Sequence, residues 1–286
     1  MDKTATQDAI KQTGLTGLLK YTDMLLQPAI QLKTTLVKDQ KAEAALKPGT
    51  SKFGGIPDLP PEQDWPTWKN IPQSFIAQLR LADLQNYDVH HWLPQDGMLW
   101  FFYDARQETY GEDPQDVGGW QVFYRADTNN LKPATVPTNL PVSSRFKSST
   151  VSVASELTLT QQPQLEVTNL KWSDDDQEKY DTVYEQFTDV ENKTQPRHRI
   201  FGYPDTLQDD MRVQCQLMTN GITDANDPRA AQLSKGANDW QLLLQIDSDE
   251  AAGMQWANSG MLFYWIKLSD LQAHKFDHTW LVLQSE

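Results

Sequence analysis

Residue types suited to catalysis or metal binding are few and scattered along the chain. His274 and His278 have the i,i+4 spacing of a helical metal pair, but the residues between them and the strand-like segment at Trp280 favour a turn. Cys215 is the single cysteine, and a catalytic thiolate needs a neighbouring histidine or helix N-terminus that the sequence does not place there. There is no nucleophile elbow and no phosphate-binding loop. The sequence therefore predicts no metal site, no cofactor and no legible catalytic centre.

Two glutamines and two aspartates recur at matching places in the chain. Gln78 and Gln245 each lie in the middle of an apolar segment, and Asp58 and Asp205 each follow a proline in a turn. A buried amide has to be hydrogen-bonded, so each glutamine is expected to hold the backbone of a neighbouring loop. The alternative is that both glutamines line a groove between two related halves of the chain and bind a ligand there.

Trp65 and Trp68 lie in a proline-rich loop, where exposed aromatic rings are typical of an interface or of a platform that stacks a sugar. The same rings could instead close one end of the core. Gln208, Gln214 and Gln216 belong to the same polar neighbourhood in the second half. The candidate binding residues are Gln78, Gln245, Asp58, Asp205, Gln208, Gln214, Trp65 and Trp68.

The elements that position these residues occur twice in the same order. Each set predicts a β-meander whose middle strand is apolar on both faces and is therefore covered on both sides. We predict an α+β, strand-rich fold of two fused pseudo-repeats, residues 48–150 and 151–286, each built around a β-meander and together forming one compact unit. The matching segments are 75–81, 97–103 and 120–124 in the first copy and 242–247, 260–266 and 280–284 in the second.

Several further elements are predicted from local patterns. Residues 1–47 carry apolar side chains at helical spacing, which predicts an N-terminal helical segment packed on the body, with Pro28 at a helix start or kink. Residues 151–160 suit a strand. Ser173 is typical of the N-cap of a helix whose first turn holds three aspartates. Residues 211–217 alternate in polarity, which predicts a strand that buries Cys215.

Composition limits the class of partner. The chain has 286 residues, 25 Lys and Arg against 39 Asp and Glu, and a net charge of −14. This charge argues against nucleic acid and anionic membranes as partners, and no apolar run is long enough to cross a bilayer. The N-terminus lacks the basic and apolar regions of a signal peptide, so we expect a cytoplasmic protein. The oligomeric state stays open.

Several spaced motifs resemble the YwqG-like family, a bacterial domain of unknown function. They are Gly54-Gly55-x-Pro57-x-Leu59-Pro60, Phe75-x-x-Gln78-Leu79, Pro94-x-x-Gly97-x-Leu99, Gly202-Tyr-Pro-Asp205 and Gln214-Cys-Gln216. The resemblance covers about residues 48–286. It departs at Gln208-Asp-Asp-Met, where relatives often have Gln-Gly-Asp-Met. The resemblance implies no catalytic residues.

Three functions remain compatible with the sequence. The first is a non-enzymatic module that docks a basic protein partner, with an immunity-type role against a basic toxin as one form, because complementary charge accelerates encounter. The second is a small-molecule or carbohydrate binder that uses a groove between the repeats. The third is a hydrolase in that groove, which no nucleophile–base or metal constellation supports. The sequence favours binding over catalysis.

Overall fold

A curved antiparallel sheet carries Gln78 and Gln245, and the other candidate residues lie in the connections, short helices and small sheets attached to it. The computed structural model describes residues 2–188, 195–224 and 226–285. Its strands are β1 (Leu26–Leu36), β2 (Lys52–Phe53), β3 (Asp58–Leu59), β4 (Thr67–Trp68), β5 (Ile71–Pro72), β6 (Ser74–Arg80), β7 (Met98–Tyr103), β8 (Trp120–Arg125), β9 (Lys132–Pro133), β10 (Ser149–Leu159), β11 (His198–Ile200), β12 (Trp240–Asp247), β13 (Met261–Lys267) and β14 (Trp280–Gln284). Ten of them form the main sheet, in the order β14-β13-β12-β11-β1-β10-β2-β6-β7-β8.

Short helices cover this sheet and fill its connections. They are α1 (Lys3–Gln12), α2 (Thr22–Leu25), α3 (Gln40–Ala44), α4 (Pro163–Glu166), α5 (Asp174–Thr188), α6 (Met211–Met218), α7 (Ala230–Leu233) and α8 (Leu268–Gln272). The predicted cap of α5 is confirmed, because the Ser173 hydroxyl accepts the Asp176 N–H at 3.2 Å. α1 and α5 share a small core that includes Ile10, Tyr180 and Val183.

The two ends of the main sheet meet. Trp120 at the start of β8 packs edge-to-face on Trp280 at the start of β14, with 4.9 Å between ring centroids. The Tyr264 hydroxyl on β13 donates to the Phe102 carbonyl on β7 at 3.2 Å. β7 and β13 are buried along both faces, as their apolar sequences predict. The sheet is therefore strongly curved and nearly closed around one large apolar core.

The two predicted meanders are present as β6-β7-β8 and β12-β13-β14, each antiparallel throughout. A register shift interrupts each meander near the start, between Phe75 and Ala77 in β6 and between Leu242 and Leu244 in β12. Such bulges bend a strand and increase its twist. Because the two bulges lie at corresponding points of the two meanders, each adds curvature to its own end of the sheet.

The helical prediction for residues 1–47 is wrong for residues 26–36. These residues form β1, which lies at the centre of the sheet between β10 and β11, and Pro28 pairs with Leu157 rather than starting a helix. Ile30 and Leu32 are buried while Gln31 and Lys33 are more exposed. This two-residue alternation and the β-branched residues favour a strand, and they outweigh the apolar spacing that suggested a helix. α1, α2 and α3 are helical as predicted.

The strand predicted around Cys215 is also wrong. Residues 211–218 form α6, whose first turn is capped by the Asp210 carboxylate accepting the Arg212 N–H at 2.8 Å. Met211 and Cys215, four residues apart, are buried. Val213, which a strand would bury beside them, is 39% exposed. Burial in this segment therefore follows the period of a helix and not the two-residue alternation seen in the sequence, so Cys215 is buried on a helix instead of a strand.

Candidate functional site

A cavity of about 730 Å³ lies beside β2, enclosed by α3, the turn after β2 and residues 133–148. We call it the Lys52 cavity. Its wall combines the aromatic side chains Trp65, Phe75 and Phe146 with charged groups from β2 and β3. Ligand sites of this size are usually apolar clefts with a few placed polar groups. The Lys52 cavity has that composition.

The floor of the Lys52 cavity is held by a hydrogen-bonded frame around Gln78. The Gln78 side-chain carbonyl accepts the Asp58 N–H at 2.7 Å, and its amide donates to the Thr50 carbonyl at 2.9 Å and to Asp58 Oδ2 at 2.8 Å. Asp58 Oδ2 also accepts the Gly49 N–H at 3.1 Å. Gln78 is fully buried. The Gln78 side chain therefore connects the backbone at Thr50 to the backbone and side chain of Asp58.

Lys52 places a buried ammonium against this frame. Its side chain is 4% exposed, and its Nζ lies 3.4 Å from Asp58 Oδ2. An ammonium has three donors, and the described residues offer Lys52 this single carboxylate within ion-pair distance. The buried Ser148 hydroxyl lines the same cavity and has no hydrogen-bond partner among the described residues. Two polar groups at the cavity wall thus retain unused hydrogen-bonding capacity.

The turn after β2 requires its two glycines. Gly54 and Gly55 have φ of +60° and +70°. A Cβ on Gly54 would meet the Lys147 carbonyl oxygen at 2.4 Å, and one on Gly55 would meet Glu43 Oε1 at 2.0 Å. Only glycine combines this conformation with so close an approach. The two glycines therefore bring the 146–148 segment and α3 close enough to enclose the cavity.

The charge of the cavity differs from that of the whole chain. Four cationic side chains line it, from Lys38, Lys52, Arg145 and Lys147, against three carboxylates. The net charge of the protein is −14. The carboxylates already accept backbone N–H groups: Glu43, for example, accepts the Ile56 N–H at 2.7 Å. The cavity lining therefore carries one more cation than anion, whereas the whole chain has a large excess of anions.

A second frame with corresponding contacts surrounds Gln245. Its side-chain carbonyl accepts the Asp205 N–H at 2.9 Å, and its amide donates to the Arg197 carbonyl and to Asp205 Oδ2, both at 2.9 Å. Arg199 stands six residues before Asp205, as Lys52 stands six before Asp58, and its Nη2 lies 3.0 Å from Asp205 Oδ2. The frame is therefore the same around both glutamines.

The cation of the second frame is fully engaged. Arg199 pairs with Glu156 through two contacts of 3.0 and 3.2 Å, and it also donates to the Tyr203 carbonyl. Burial alone would raise the pKa of Asp205, but the adjacent Arg199 outweighs it and lowers that pKa below its ordinary value. A neighbouring cavity of about 370 Å³ is smaller than the Lys52 cavity. The second frame therefore has the character of a structural cross-link.

The predicted binding residues do not meet in one groove. Gln78 with Asp58, and Gln245 with Asp205, form separate frames, and the two aspartates line different cavities. Three of the remaining four lie elsewhere: Gln208 is exposed beside the C-terminal strand and donates to the Ser285 carbonyl, Gln214 on α6 donates to the Gly111 carbonyl, and Trp68 lines a separate cleft. Trp65 lines that cleft and also the Lys52 cavity, together with Asp58.

Sequence reasoning overlooked Lys52 and Ser148. Lysine is rarely buried, so nothing in its residue type marked Lys52 as a candidate. A cation six residues before the aspartate in both halves was the available signal, since Arg199 precedes Asp205 in the same way. Ser148 carries no such signal, because only the packing of the 146–148 segment on Gly55 buries it.

Within residues 2–188, 195–224 and 226–285, no group of three or more His, Cys, Asp or Glu side chains could hold a metal ion. No helix in these ranges is long and apolar enough to cross a membrane.

The family model described as a domain of unknown function, DUF1963, matches residues 51–285. The chain belongs to this family. Both this match and the resemblance noted in the sequence point to a domain of unknown function. A comparison with curated proteins finds no match.

The DUF1963 match begins one residue before β2, yet the main sheet includes β1 at its centre. β1 pairs with β10 over residues 26–36 and with β11 over residues 30–32. The residues before the matched range therefore complete the sheet on which the DUF1963 domain is built, and Val37, Asp39 and Glu43 complete the wall of the Lys52 cavity.

Proposed function

We propose that this protein is a non-enzymatic binding protein that takes a small organic anion in the Lys52 cavity. The observation that carries the proposal is a buried ammonium with a single carboxylate neighbour, at 3.4 Å, facing a cavity of about 730 Å³. A buried charge is costly unless it is paired and hydrogen-bonded. An anionic group on a ligand supplies the missing partners.

The apolar part of the wall defines the rest of the ligand. Trp65, Phe75 and Phe146 all line the cavity, so an aromatic or aliphatic body is buried against them while its anionic end meets Lys52. The Ser148 hydroxyl, which lines the same cavity, adds a neutral donor. A carboxylate and a phosphate monoester both fit this arrangement, because each accepts several hydrogen bonds from cationic and hydroxyl donors.

Ligand-induced stabilisation tests the proposal. Benzoate and phenyl phosphate serve as probes, and thermal unfolding is followed at increasing probe concentration. A ligand that binds only the folded state stabilises it by about 2.7 kcal/mol at roughly 100 times its Kd. We expect a concentration-dependent rise in Tm with at least one probe.

The Lys52→Met variant distinguishes this site from unspecific anion binding. It removes the ammonium and keeps the aliphatic length, while Gly49 and Gln78 still hold Asp58. Exposed Lys132→Met removes a lysine outside the cavity wall and is the matched control. The proposal fails if neither probe raises Tm, or if the Lys52→Met variant responds as strongly as the Lys132→Met control.

A second candidate function is docking of a basic protein partner, and one surface favours it. The fifteen residues of α5 include six carboxylates and one lysine, Lys179, which already pairs with Asp175. One face of α5 is buried against α1 by Tyr180 and Val183, so most of its charged positions are exposed. Opposite potentials steer encounter and raise the association rate.

The docking function is tested by neutralising α5. A variant with Asp174→Asn, Asp175→Asn and Glu178→Gln is compared with the unchanged protein in affinity capture from a cell lysate at two salt concentrations. A stoichiometric basic protein that is held by the unchanged protein and lost from the variant supports docking. If the variant captures the same protein as well as the unchanged chain does, at both salt concentrations, then docking does not depend on the charge of α5 and this function loses its basis.

We also infer that the two meanders, with their flanking strands, are pseudo-repeats of one duplicated unit. Three correspondences support this: the hydrogen-bonded frames at Gln78 and Gln245, the bulges in β6 and β12, and the long strands β1 and β10. β1 and β10 pair over eleven residues with Gln31 opposite Ala154 at the midpoint of both strands. A two-fold relation of the halves about this midpoint accounts for all three.

A further inference from the structure

The segment that carries α3 forms one side of the Lys52 cavity. Residues 38–47, which we call the α3 segment, contribute six of the lining residues: Lys38, Asp39, Gln40, Glu43, Ala44 and Leu46. None of the residues of the α3 segment, all of which the structure describes, is buried. Segments with little buried surface open at a lower free energy than the core does.

The α3 segment satisfies its own helix ends. The Asp39 carboxylate accepts the Ala42 N–H at 2.8 Å at the start of α3, and the Ala45 N–H donates to the carbonyls of Lys41 and Ala42 at its end. α3 therefore needs no bond to the sheet to complete its first and last turns. Attachment to the body has to come from the flanks of the segment and from its side chains.

Both flanks of the α3 segment are anchored to the body. Before the segment, the Val37 N–H donates to the Ser148 carbonyl at 2.8 Å. After it, the Gly49 N–H donates to Asp58 Oδ2 at 3.1 Å, and the Gly49 carbonyl accepts from the Arg80 guanidinium at 2.8 Å. The α3 segment is therefore a strap between two fixed points.

Between these anchors, and within the described residues, one hydrogen bond joins the α3 segment to the opposite wall. The Glu43 carboxylate accepts the Ile56 N–H at 2.7 Å. The Lys47 carbonyl accepts from Thr50, but this bond belongs to the turn that leads out of the segment. A Cβ on Gly55 would clash with Glu43 Oε1, so the carboxylate lies directly against the backbone beside the bonded N–H.

The other walls of the cavity are held by backbone hydrogen bonds. The Gly55 N–H donates to the Phe146 carbonyl at 2.9 Å, and Phe146 is itself buried in the main core. The Ala134 N–H donates to the Pro57 carbonyl at 2.8 Å, beside the pairing of β3 with β9. The α3 segment is therefore the part of the wall that moves with the smallest loss of contacts.

We propose that the α3 segment is a gate over the Lys52 cavity and that Glu43 is the latch that holds it shut. Lys52 and Ser148 are 3% and 5% exposed, so a ligand reaches them when part of the wall moves. Release of the bond between Glu43 and the Ile56 N–H lets the strap move between its two anchors and uncovers both groups. Passage of a ligand through the gate rests on the proposed function, whereas the opening itself does not.

A cysteine inside the cavity measures the opening without any ligand. Ser148→Cys is close to isosteric and places a thiol at a buried position of the cavity wall. Its rate of labelling by iodoacetamide in the native protein, divided by the rate in the urea-unfolded protein, gives the open fraction, and peptide mass spectrometry separates this site from Cys215. A hydrogen bond to a charged group shifts such an equilibrium by about tenfold or more. We therefore expect Glu43→Ala to accelerate the labelling by about that factor.

Two variants and a urea series separate opening of the gate from general destabilisation. Lys41→Ala changes an exposed residue of α3 outside the cavity wall and should leave the labelling rate unchanged. Glu43→Gln keeps an oxygen acceptor without the charge and should give an intermediate rate. The faster labelling in Glu43→Ala should depend little on low concentrations of urea, because moving the strap exposes far less surface than unfolding does.

Hydrogen exchange replaces the labelling if the Ser148→Cys variant does not fold. A five-residue helix does not hold its own hydrogen bonds once it is detached, so the amides of residues 42–46 should exchange about tenfold faster in Glu43→Ala. The proposal is overturned if Glu43→Ala opens the cavity no more than Lys41→Ala does, or if its effect grows with urea as steeply as unfolding. The response of Tm to benzoate and phenyl phosphate is a separate result, so the gate and the ligand site can each fail alone.

Discussion

The Gln78→Leu substitution tests whether the buried amide is part of the framework or of the ligand site. Leucine keeps the approximate volume of the side chain and removes its three hydrogen bonds, which span 2.7 to 2.9 Å. The Asp58 N–H and the Thr50 carbonyl then lose their partners. Each unsatisfied buried group costs about 1–3 kcal/mol. We therefore expect the free energy of unfolding to fall by about 2–5 kcal/mol.

Urea unfolding followed by tryptophan fluorescence measures this loss. Gln245→Leu removes the corresponding contacts of the second frame and should cost a similar amount, since both glutamines are fully buried. Gln115→Leu, at an exposed position, should change stability by less than about 0.5 kcal/mol. The slope of the transition should stay the same in all three variants, because they expose the same surface on unfolding.

The reasoning is refuted if Gln78→Leu costs no more than Gln115→Leu. That result would mean that the Asp58 turn holds its conformation without the amide. If Gln78→Leu also abolished the response to benzoate and phenyl phosphate at unchanged stability, the glutamine would be a ligand contact, as the groove hypothesis for Gln78 and Gln245 supposed.

Three further outcomes follow from the same structure. The pKa of Asp205 is lowered in the folded state, so its contribution to stability is complete above the unfolded value of about 3.9 and disappears as the pH falls through the folded pKa; urea unfolding at decreasing pH should show this acid loss, and Asp205→Asn should reduce it. Gly54→Ala forces a φ of +60° on alanine and drives its Cβ to 2.4 Å from the Lys147 carbonyl oxygen; a loss of more than about 1 kcal/mol in unfolding free energy is expected, and an unchanged value would show that the 146–148 segment moves freely. Burial raises the pKa of the Cys215 thiol well above its ordinary value, so iodoacetamide at mildly alkaline pH should label the urea-unfolded protein and leave the native protein unlabelled, as measured by mass spectrometry.

Much of the sheet could be predicted because its strands are strongly patterned. β7 and β13 are apolar on both faces and were expected to be covered on both sides, and β10 was expected within two residues of its observed start. β1 was mistaken for a helix because Leu32 and Leu36 are four residues apart, although Ile30 and Leu32 alternate as a strand requires. Its partners β10 and β11 lie more than a hundred residues away, and that pairing decides the conformation.

The candidate site was only half visible in the sequence. Gln78 and Asp58 stood out because Gln245 and Asp205 repeat them, and the expected role of each glutamine in holding loop backbone matches the observed bonds. Lys52 was missed because a lysine in a polar stretch is usually solvated. The walls of the Lys52 cavity come from α3, the 133–148 segment and Trp65, which are distant in sequence. No local sequence pattern predicts that these segments come together.

The difference between the two frames comes from the type of cation in each. The guanidinium of Arg199 offers five donors in a fixed plane, and Glu156, Asp205 and the Tyr203 carbonyl occupy that fork. The ammonium of Lys52 is a compact charge on a flexible stem, and Asp58 is its one carboxylate neighbour among the described residues. With the same glutamine and the same spacing, Arg199 has all its neighbours inside one frame, whereas Lys52 has a single carboxylate neighbour in the other, and the proposed ligand site rests on this difference. The two frames share the glutamine, the aspartate and the spacing of the cation, and they differ in the cation and in its neighbours, because Glu156 pairs with Arg199 and no second carboxylate within the described residues pairs with Lys52.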